Sequence, residues 1–371
     1  MTTQKYPVGQ HPNLPPPNNT VGVLFWLKEN MFNGVLNSIL TLFSFYVIIT
    51  LLPPLLKWAI IYADWTGDSK DACTKDGACW VFIRVWFDQL LYGRYPSDSI
   101  WRINLSYVIA IVAAIPLFFS AVPKKIKLVL AAFLLVVYPI ICFYLYYGGG
   151  FGLEVVETPR WGGLFLTLVI AVSGIVLSLP LGILLALGRR SNMPVIKSFC
   201  VVFIEFWRGI PLITVLFMAS VMFPLFVPES LSPDKLLRVL VGVILFSSAY
   251  MAEVVRGGLQ AIPKGQYEAA AALGLNYPKS MILIILPQAL KMVIPGIVNT
   301  FIGLFKDTTL VLIIGLFDLL GMAQLAATNP NWLGFTVEGY VFAAVGFFVF
   351  CFSMSSYSQH LERVLNTGHR N

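Results

Sequence analysis

From residue 33 onward the chain alternates long apolar runs with short polar stretches. A helix of about 20 apolar residues is long enough to cross the roughly 30 Å of hydrocarbon in a bilayer. Eight segments meet that length. The first three fall near residues 33–56, 100–122 and 126–147. The turn-rich stretch 148–152, four glycines in five residues, then divides them from five more, near 164–187, 195–227, 236–255, 287–310 and 339–357. The seventh of these, with its continuation to Leu325, is expected to be interrupted. The pattern predicts an all-α polytopic membrane protein of about eight spans, three followed by five.

Composition makes lipid the only reasonable solvent. Of 371 residues, 58% are hydrophobic and 12% charged, with a mean hydropathy of +0.80, whereas a soluble domain carries about 25% charged residues. Residues 1–32 differ from the rest. Pro7, Pro12, Pro15, Pro16 and Pro17 lie among polar residues, with none of the basic start and apolar follow-on of a cleavable signal, so this stretch reads as a flexible cytoplasmic tail.

The distribution of Lys and Arg sets an orientation. Eight spans put both termini on one side. Calling that side the cytoplasm gives it Lys124, Lys125 and Lys127, then Arg189, Arg190 and Lys197, then Arg256, Lys264, Lys279 and Lys291. The opposite side is acidic. Its first loop, about 63–99, carries Asp64, Asp68, Asp71, Asp76, Asp88 and Asp98, and residues 310–338 hold no Lys or Arg. The net charge of +7 therefore reads as topology and attraction to anionic lipid headgroups. No soluble basic face or recognition motif for nucleic acid is visible.

Three of the five cysteines, Cys142, Cys200 and Cys351, lie in apolar spans and behave as small apolar side chains. Cys73 and Cys79 sit in the acidic external loop, where Gly77 permits a tight turn and an oxidising compartment favours a disulfide. Two free thiols are the alternative. Zinc lacks a nearby His, and no metal site is expected. The aromatic segment 80–92 that follows suits a helix anchored at the outer headgroup boundary, or a re-entrant element or partner contact.

The most informative stretch is cytoplasmic in this orientation and runs from Arg256 to Pro287. Pro263 suits a helix's first turn, Glu268 to Leu273 are strong helix formers, and Gly274 can take the left-handed conformation that ends a helix. A second helix can begin near Pro278. Ala269, Ala270 and Ala272 leave a slim surface that another protein's groove would accept, although an Ala-rich helical hairpin is more often plain packing.

Glu268-Ala269-Ala270, three residues, Gly274, nine residues, then Ile284-x-Leu286-Pro287 resembles the EAA signature of ABC-importer permeases. The flanking Gly265 belongs to the same stretch. The resemblance implies that this loop, about 257–287, is a coupling helix seated in a cleft of a cytoplasmic ATPase dimer. Phe203-Ile-Glu205-Phe-Trp-Arg208-Gly209-Ile210-Pro211-Leu212, Ala249-Tyr-Met-Ala-Glu253-Val-Val-Arg256-Gly257-Gly258 and Lys306-Asp307-Thr308-Thr309-Leu310 resemble the polar amino acid permease family of histidine and glutamine type. Ile210 departs from the Thr more frequent there. The likeness covers roughly 160–365 and implies a five-helix type I permease core, with 33–147 as an accessory region. That arrangement looks like the longer permease of general L-amino-acid importers, which works beside a second, homologous permease.

The resemblance further implies a bacterial inner-membrane importer of amino acids, a periplasmic amino-acid-binding protein, and a heterodimer with another permease. One such loop is half of a membrane pathway. No phosphate-binding loop is present: the stretch from Gly274 to Lys279 and Ser280 lacks the second glycine and carries Pro278. The chain is therefore expected to bind no cofactor, with ATP and Mg held by the partner ATPase. It is read as a non-enzyme.

Charged residues within spans are functional candidates because their burial is costly. Glu205 and Arg208 lie three apart on one helix face, as do Glu253 and Arg256, and Lys306 and Asp307 are adjacent. A crossing amino acid needs partners for a carboxylate and an ammonium, which Arg208 or Lys306 and Glu205 or Asp307 would supply. The plainer reading is that each Glu/Arg pair satisfies itself and ties helices together. Glu253 and Arg256, near the end of their span, suit gating better. Pro211, Pro287 and Pro295 break or bend helices and would permit hinging, or merely packing. A secondary transporter would not need the docking loop, and another small polar solute remains an alternative cargo. An enzyme is disfavoured because His11, His360 and His369 are tail residues and no catalytic cluster assembles around them.

Overall fold

The computed structural model describes residues 22–74, 76–119 and 121–365. It divides into two compact units, one of residues up to 67 together with 71–80, the other of 68–70 together with 81 onward.

In the first unit, α1 (Val23–Asn30) precedes α2 (Val35–Leu56), which continues through a π-helical turn to Ile61. Most of the expected tail lies outside the described residues, but its end is helical. The apolar run Val23 to Leu27 is the cause, and the Asn30 side chain donates back to the Trp26 carbonyl. The following loop is built on backbone contacts: Asp64 N–H donates to Ala78 and Trp80 N–H returns to Asp64. Asp64 also accepts from the Thr74 N–H at 2.6 Å and hydroxyl at 2.8 Å. Cys73 and Cys79 are bonded, with Cα atoms 5.5 Å apart. Gly77 is needed here for a close approach, since a Cβ would stand 2.1 Å from the Tyr62 carbonyl oxygen. Trp80 closes the loop over Trp65, ring centroids 5.8 Å apart, and donates its indole N–H to Ala59.

The second unit takes up the rest of α3 (Trp80–Tyr92), then α4 (Ile100–Phe118), α5 (Lys124–Ala132) and α6 (Tyr138–Tyr147), the last two joined by a π-helical turn into one 24-residue span. From Val81 on, α3 is more than a headgroup anchor. Phe82 is fully buried and meets Trp332 at 5.7 Å and Phe335 at 6.4 Å between ring centroids. Val81, Ile83 and Leu90 are buried with it, a protein-facing side that apolar content alone cannot distinguish from a lipid-facing one.

Next come α7 (Gly163–Arg189), α8 (Pro194–Gly209), α9 (Leu212–Phe217) and α10 (Lys235–Ala261). The expected fifth span is thus two arms bent by 100°. Ile210 is extended, φ −112° and ψ 136°, because the Pro211 ring excludes the helical conformation from the residue before it. Two short helices, α11 (Lys264–Ala272) and α12 (Tyr277–Ser280), lead through a π-helical turn into α13 (Leu286–Met292) and α14 (Ile294–Asp307). A final pair, α15 (Leu319–Ala327) and α16 (Thr336–Leu365), completes the described chain.

Among the described residues, seven helices are long and apolar enough to cross a membrane, and the bent pair makes an eighth if counted as one crossing. The expected seventh span, 287–310, is displaced: the apolar helix runs Ile294–Ile314. Val293, φ −106° and ψ 11°, breaks the chain before Pro295, so Pro287 and Lys291 fall on the separate arm α13.

Two apolar cores lie along α7 and α10. Near Gly163, Phe165, Leu166 and Ile170 pack with Tyr146 of α6, Ile103 of α4, Val239 and Val243 of α10, and Val311. Near Arg189, Ala186 packs with Ile204, Met251, Val255, Ile285 and Ala289. Helices α4 and α6 therefore share a core with α7. The polar contact there is also cross-helix, with the Ser106 and Tyr146 hydroxyls 2.5 Å apart.

Candidate functional site

The second core ends in charge. Arg189, in the last turn of α7, donates from Nη1 to Glu205 Oε1 of α8 at 2.9 Å and to Glu253 Oε1 of α10 at 2.9 Å. The other oxygen of Glu253 accepts from Arg256 at 2.6 Å, one turn along the same helix, and lies 3.8 Å from Arg208. Three guanidiniums thus surround two carboxylates, leaving one net positive charge. Glu253 is the centre, its side chain 15% exposed, while Glu205 is 55% exposed. Arg208 is the least engaged cation: it has only the longer contact and lies over the Tyr250 ring at 5.7 Å.

Beyond the same end of α10, Ile262 and Pro263 interrupt the helix and α11 begins. With φ −59° and ψ 143°, Pro263 supplies the non-helical entry, and Gly274 ends the hairpin at φ +72°. Leu275 N–H bonds back to Ala270 and Gly274 N–H to Ala271, which satisfies carbonyls that a helix end otherwise leaves open. Asn276 caps α12 by accepting from the Lys279 N–H. Ala270 is buried under α11, whereas Gly265, Glu268, Ala269 and Gly274 are exposed. Leu273 is 75% exposed and Tyr277 58%, an apolar tip on a short hairpin. Pro287, also exposed, opens α13, and Gln288 reaches back to Gln266 of α11 at 3.2 Å.

Arg190 joins the loop to α7. Its Nη1 donates to the Leu259 carbonyl at 2.7 Å and to the Tyr267 hydroxyl at 3.1 Å, with the guanidinium 5.6 Å from the Tyr267 ring centre.

The structure therefore gathers Glu205, Arg208, Glu253 and Arg256 into one cluster, with a pairing different from the expected one. Glu253 and Arg256 do pair along α10, but Glu205 pairs with Arg189 of α7 and Arg208 with Glu253 of α10. The i,i+3 spacing on α8 puts both side chains on one face, and the neighbouring helices then supply stronger partners. Lys306 and Asp307, at the end of α14, make no ion pair with this cluster among the described residues. Arg189 and Arg190 were legible only as loop charges, since nothing in a single sequence says which helix end faces an acidic pair.

A further buried carboxylate escaped the sequence reading. Asp318 starts α15 and is fully buried; its Oδ1 accepts the Gly321 N–H at 2.9 Å and its Oδ2 has no hydrogen-bond partner among the described residues. Burial pushes its pKa up to about 6, and the backbone N–H groups only partly oppose this.

Residues 178–366 match the family described as the inner membrane component of binding-protein-dependent transport systems. The match spans the cluster, the α11 hairpin and all of α16. The chain belongs to this family. Over 358 residues the permease is 57% identical to the inner membrane amino-acid ABC transporter permease protein YhdY of Escherichia coli K12, covering 96% of this chain and 97% of that one. It is 41% identical to the glutamate/glutamine/aspartate/asparagine transport system permease protein BztC of Rhodobacter capsulatus, covering 96% of each. The shorter glutamate/aspartate import permease protein GltK of Escherichia coli O6:H1 is 35% identical and matches 54% of the permease but 91% of its own length. About half of the permease thus suffices to align with a nearly whole relative.

Proposed function

We propose that the chain is the membrane permease subunit of an ABC importer that carries amino acids into the cytoplasm. The observation that carries the reading is the α11 hairpin, an exposed apolar tip ended by a left-handed glycine, set directly against the charged ends of α7 and α10. Near-full-length likeness to amino-acid permeases supplies the cargo class, and the name of one of those relatives includes acidic amino acids and their amides. Broad-range or polar L-amino acids fit both.

In this reading α11 docks in the cytoplasmic ATPase, which holds ATP and Mg and performs the hydrolysis. The permease itself binds no cofactor and catalyses no bond breaking. Gly265, Glu268, Ala269, Ala270, Gly274 and Pro287 form the docking hairpin and its return arm. The chain crosses eight times in this reading, with both termini in the cytoplasm, which the Lys and Arg clusters near 124–127 and 189–197 support. Residues 33–147 are an accessory region ahead of the five-helix core. A second, homologous permease completes the pathway as a heterodimer, and a binding protein delivers cargo to the outer face.

The cluster of Glu205, Arg208, Glu253 and Arg256, organised by Arg189, is a gate at the inner end of the path. Its excess positive charge favours the cargo's carboxylate, and Arg208 is the cation free to meet it. Lys306 and Asp307, adjacent at the end of α14, are separate candidates along the path.

Affinity purification of the tagged permease from its native membrane, with mass spectrometry of bound proteins, tests the assembly. An ATPase subunit and a second permease should be recovered together. Recovery of the permease alone, with uptake of radiolabelled amino acids unchanged in a deletion strain, would refute the reading.

A further inference from the structure

We infer that Arg190, acting with Tyr267, is a positioning residue that transmits movement of α11 to the Arg189-centred charge cluster. The inference rests on the reading of α11 as the ATPase-docking helix.

Consecutive residues on a helix project about 100° apart. Arg189 and Arg190 leave the end of α7 in different directions, and each engages two partners through Nη1. Arg189 bonds Glu205 and Glu253, at 2.9 Å to both. Arg190 meets the Leu259 carbonyl at 2.7 Å and the Tyr267 hydroxyl at 3.1 Å, and the Tyr267 hydroxyl itself donates to the Leu259 carbonyl at 3.2 Å. The three groups close a triangle between the last turn of α10, the end of α7, and α11. A planar guanidinium over the Tyr267 ring adds cation–π attraction and fixes its orientation.

The two-residue linker by itself constrains the angle of α11 less than this triangle does. Only Ile262 and Pro263 stand between α10 and α11, neither is helical, and Pro263 contributes no N–H, so α11 is free to pivot unless side chains hold it. The Gln266–Gln288 contact at 3.2 Å holds α11 to its return arm α13, and Arg190 is the hydrogen-bonded tie between α11 and α7 among the described residues. A shift of α11 therefore either breaks the triangle or drags the end of α7 with it. Because Arg189 is the adjacent residue, dragging that end alters both of its carboxylate contacts. Docking and gating are then two ends of one short mechanical connection.

The test uses the complete importer, reconstituted in proteoliposomes with its ATPase, its partner permease and its binding protein, and compares wild type with Arg190→Gln, Arg190→Lys and Tyr267→Phe. The readout is labelled amino acid taken up per ATP hydrolysed, a ratio that a merely structural staple would not move. Arg190→Gln should retain the ATPase and hydrolyse within about twofold of wild type while uptake per ATP falls at least fivefold, the lower end of ordinary coupling factors. Arg190→Lys keeps the charge without the stacked plane and should fall between. Tyr267→Phe deletes one oxygen and should lower the ratio in the same direction, which keeps the inference testable if Arg190→Gln does not assemble. An unchanged ratio, or uptake and hydrolysis falling in proportion, would overturn it. Failure of the wild-type permease to retain any ATPase would instead overturn the docking reading of α11, and this inference with it.

Discussion

Gly274→Asp separates docking from folding more cleanly than other changes in the α11 hairpin. A Cβ built at Gly274 meets nothing within 4 Å, so no collision forces the hairpin apart. What remains is the backbone, held at φ +72°, where an L-residue costs about 1–2 kcal/mol and Asp or Asn less because they visit this region more readily. The bonds from Leu275 to Ala270 and Gly274 to Ala271 survive the change. The isolated permease should therefore lose no more than about 5 °C in its thermal midpoint. In a docked state the new carboxylate lies at the negative end of α11 and inside a partner's cleft. An unpaired charge buried there costs about 3 kcal/mol or more, upwards of a hundredfold in affinity. The assay is recovery of the ATPase on tagged permease at matched expression, beside a thermal melt in detergent. Gly274→Asn is the control, sharing the backbone tolerance without the charge, and should retain much more ATPase. Full recovery with Gly274→Asp, or a melt that collapses along with the recovery, would refute the reasoning.

Three further outcomes follow from the geometry. Glu253→Gln leaves Arg189, Arg208 and Arg256 facing only Glu205 and should cost about 3–5 kcal/mol in a detergent melt, whereas Glu205→Gln, at a carboxylate more than half exposed, should cost under about 1 kcal/mol; equal effects would show that Glu253 is not the centre. Asp318, with its folded pKa raised from 3.8 to about 6, stabilises the fold most below pH 4 and loses roughly 3 kcal/mol as pH rises through 6. Asp318→Asn keeps an acceptor for the Gly321 N–H and should flatten that pH dependence of the melting temperature, so a slope identical to wild type contradicts the assignment. Closing the short loop between Cys73 and Cys79 contributes about 2 kcal/mol to the order of the 62–80 loop; non-reducing peptide mapping should find the linked pair, and Cys79→Ser should make the loop more sensitive to protease.

Which parts were legible follows from what a sequence encodes locally. Span length depends only on consecutive apolar residues, so the helices from Gly163 and Lys235 fell within a few residues of expectation. The hairpin from Pro263 to Gly274 was equally readable, because Pro, the Ala run and Gly are local signals. The 100° bend at Ile210 and Pro211 and the shift of the seventh span past Val293 were less so: proline marks a break, but its angle depends on what each arm packs against. Segment 80–92 was misjudged toward lipid because Phe82 can bury its ring equally against acyl chains or against Trp332 and Phe335. Hardest to see were cross-helix partners. Spacing correctly put Glu205 and Arg208 on one face, but their actual partners come from positions 16 residues before Glu205 and 45 residues after Arg208.

The charge cluster depends in turn on residues that carry no charge. A Cβ at Gly182 of α7 would stand 2.7 Å from the Met251 Cβ, and one at Gly258 of α10 would stand 2.6 Å from the Ala289 carbonyl oxygen. Both glycines flank the cluster, and both allow helix axes to approach more closely than side chains would permit, as small residues do in membrane helix packing. Close axes let a single Arg189 reach carboxylates on two other helices, and the ion pairs then resist separation of α7, α8 and α10 at that end. Parting these helices at that end therefore requires that the Arg189 contacts be disturbed, which a pull on the adjacent Arg190 would do. Continuous helical bonding is interrupted at two further places, the extended Ile210 before Pro211 and the break at Val293 before α14. The first break falls between Arg208 and Glu253 in sequence and the second after Arg256, so α9 and α14 can each change angle relative to the helices that carry the cluster.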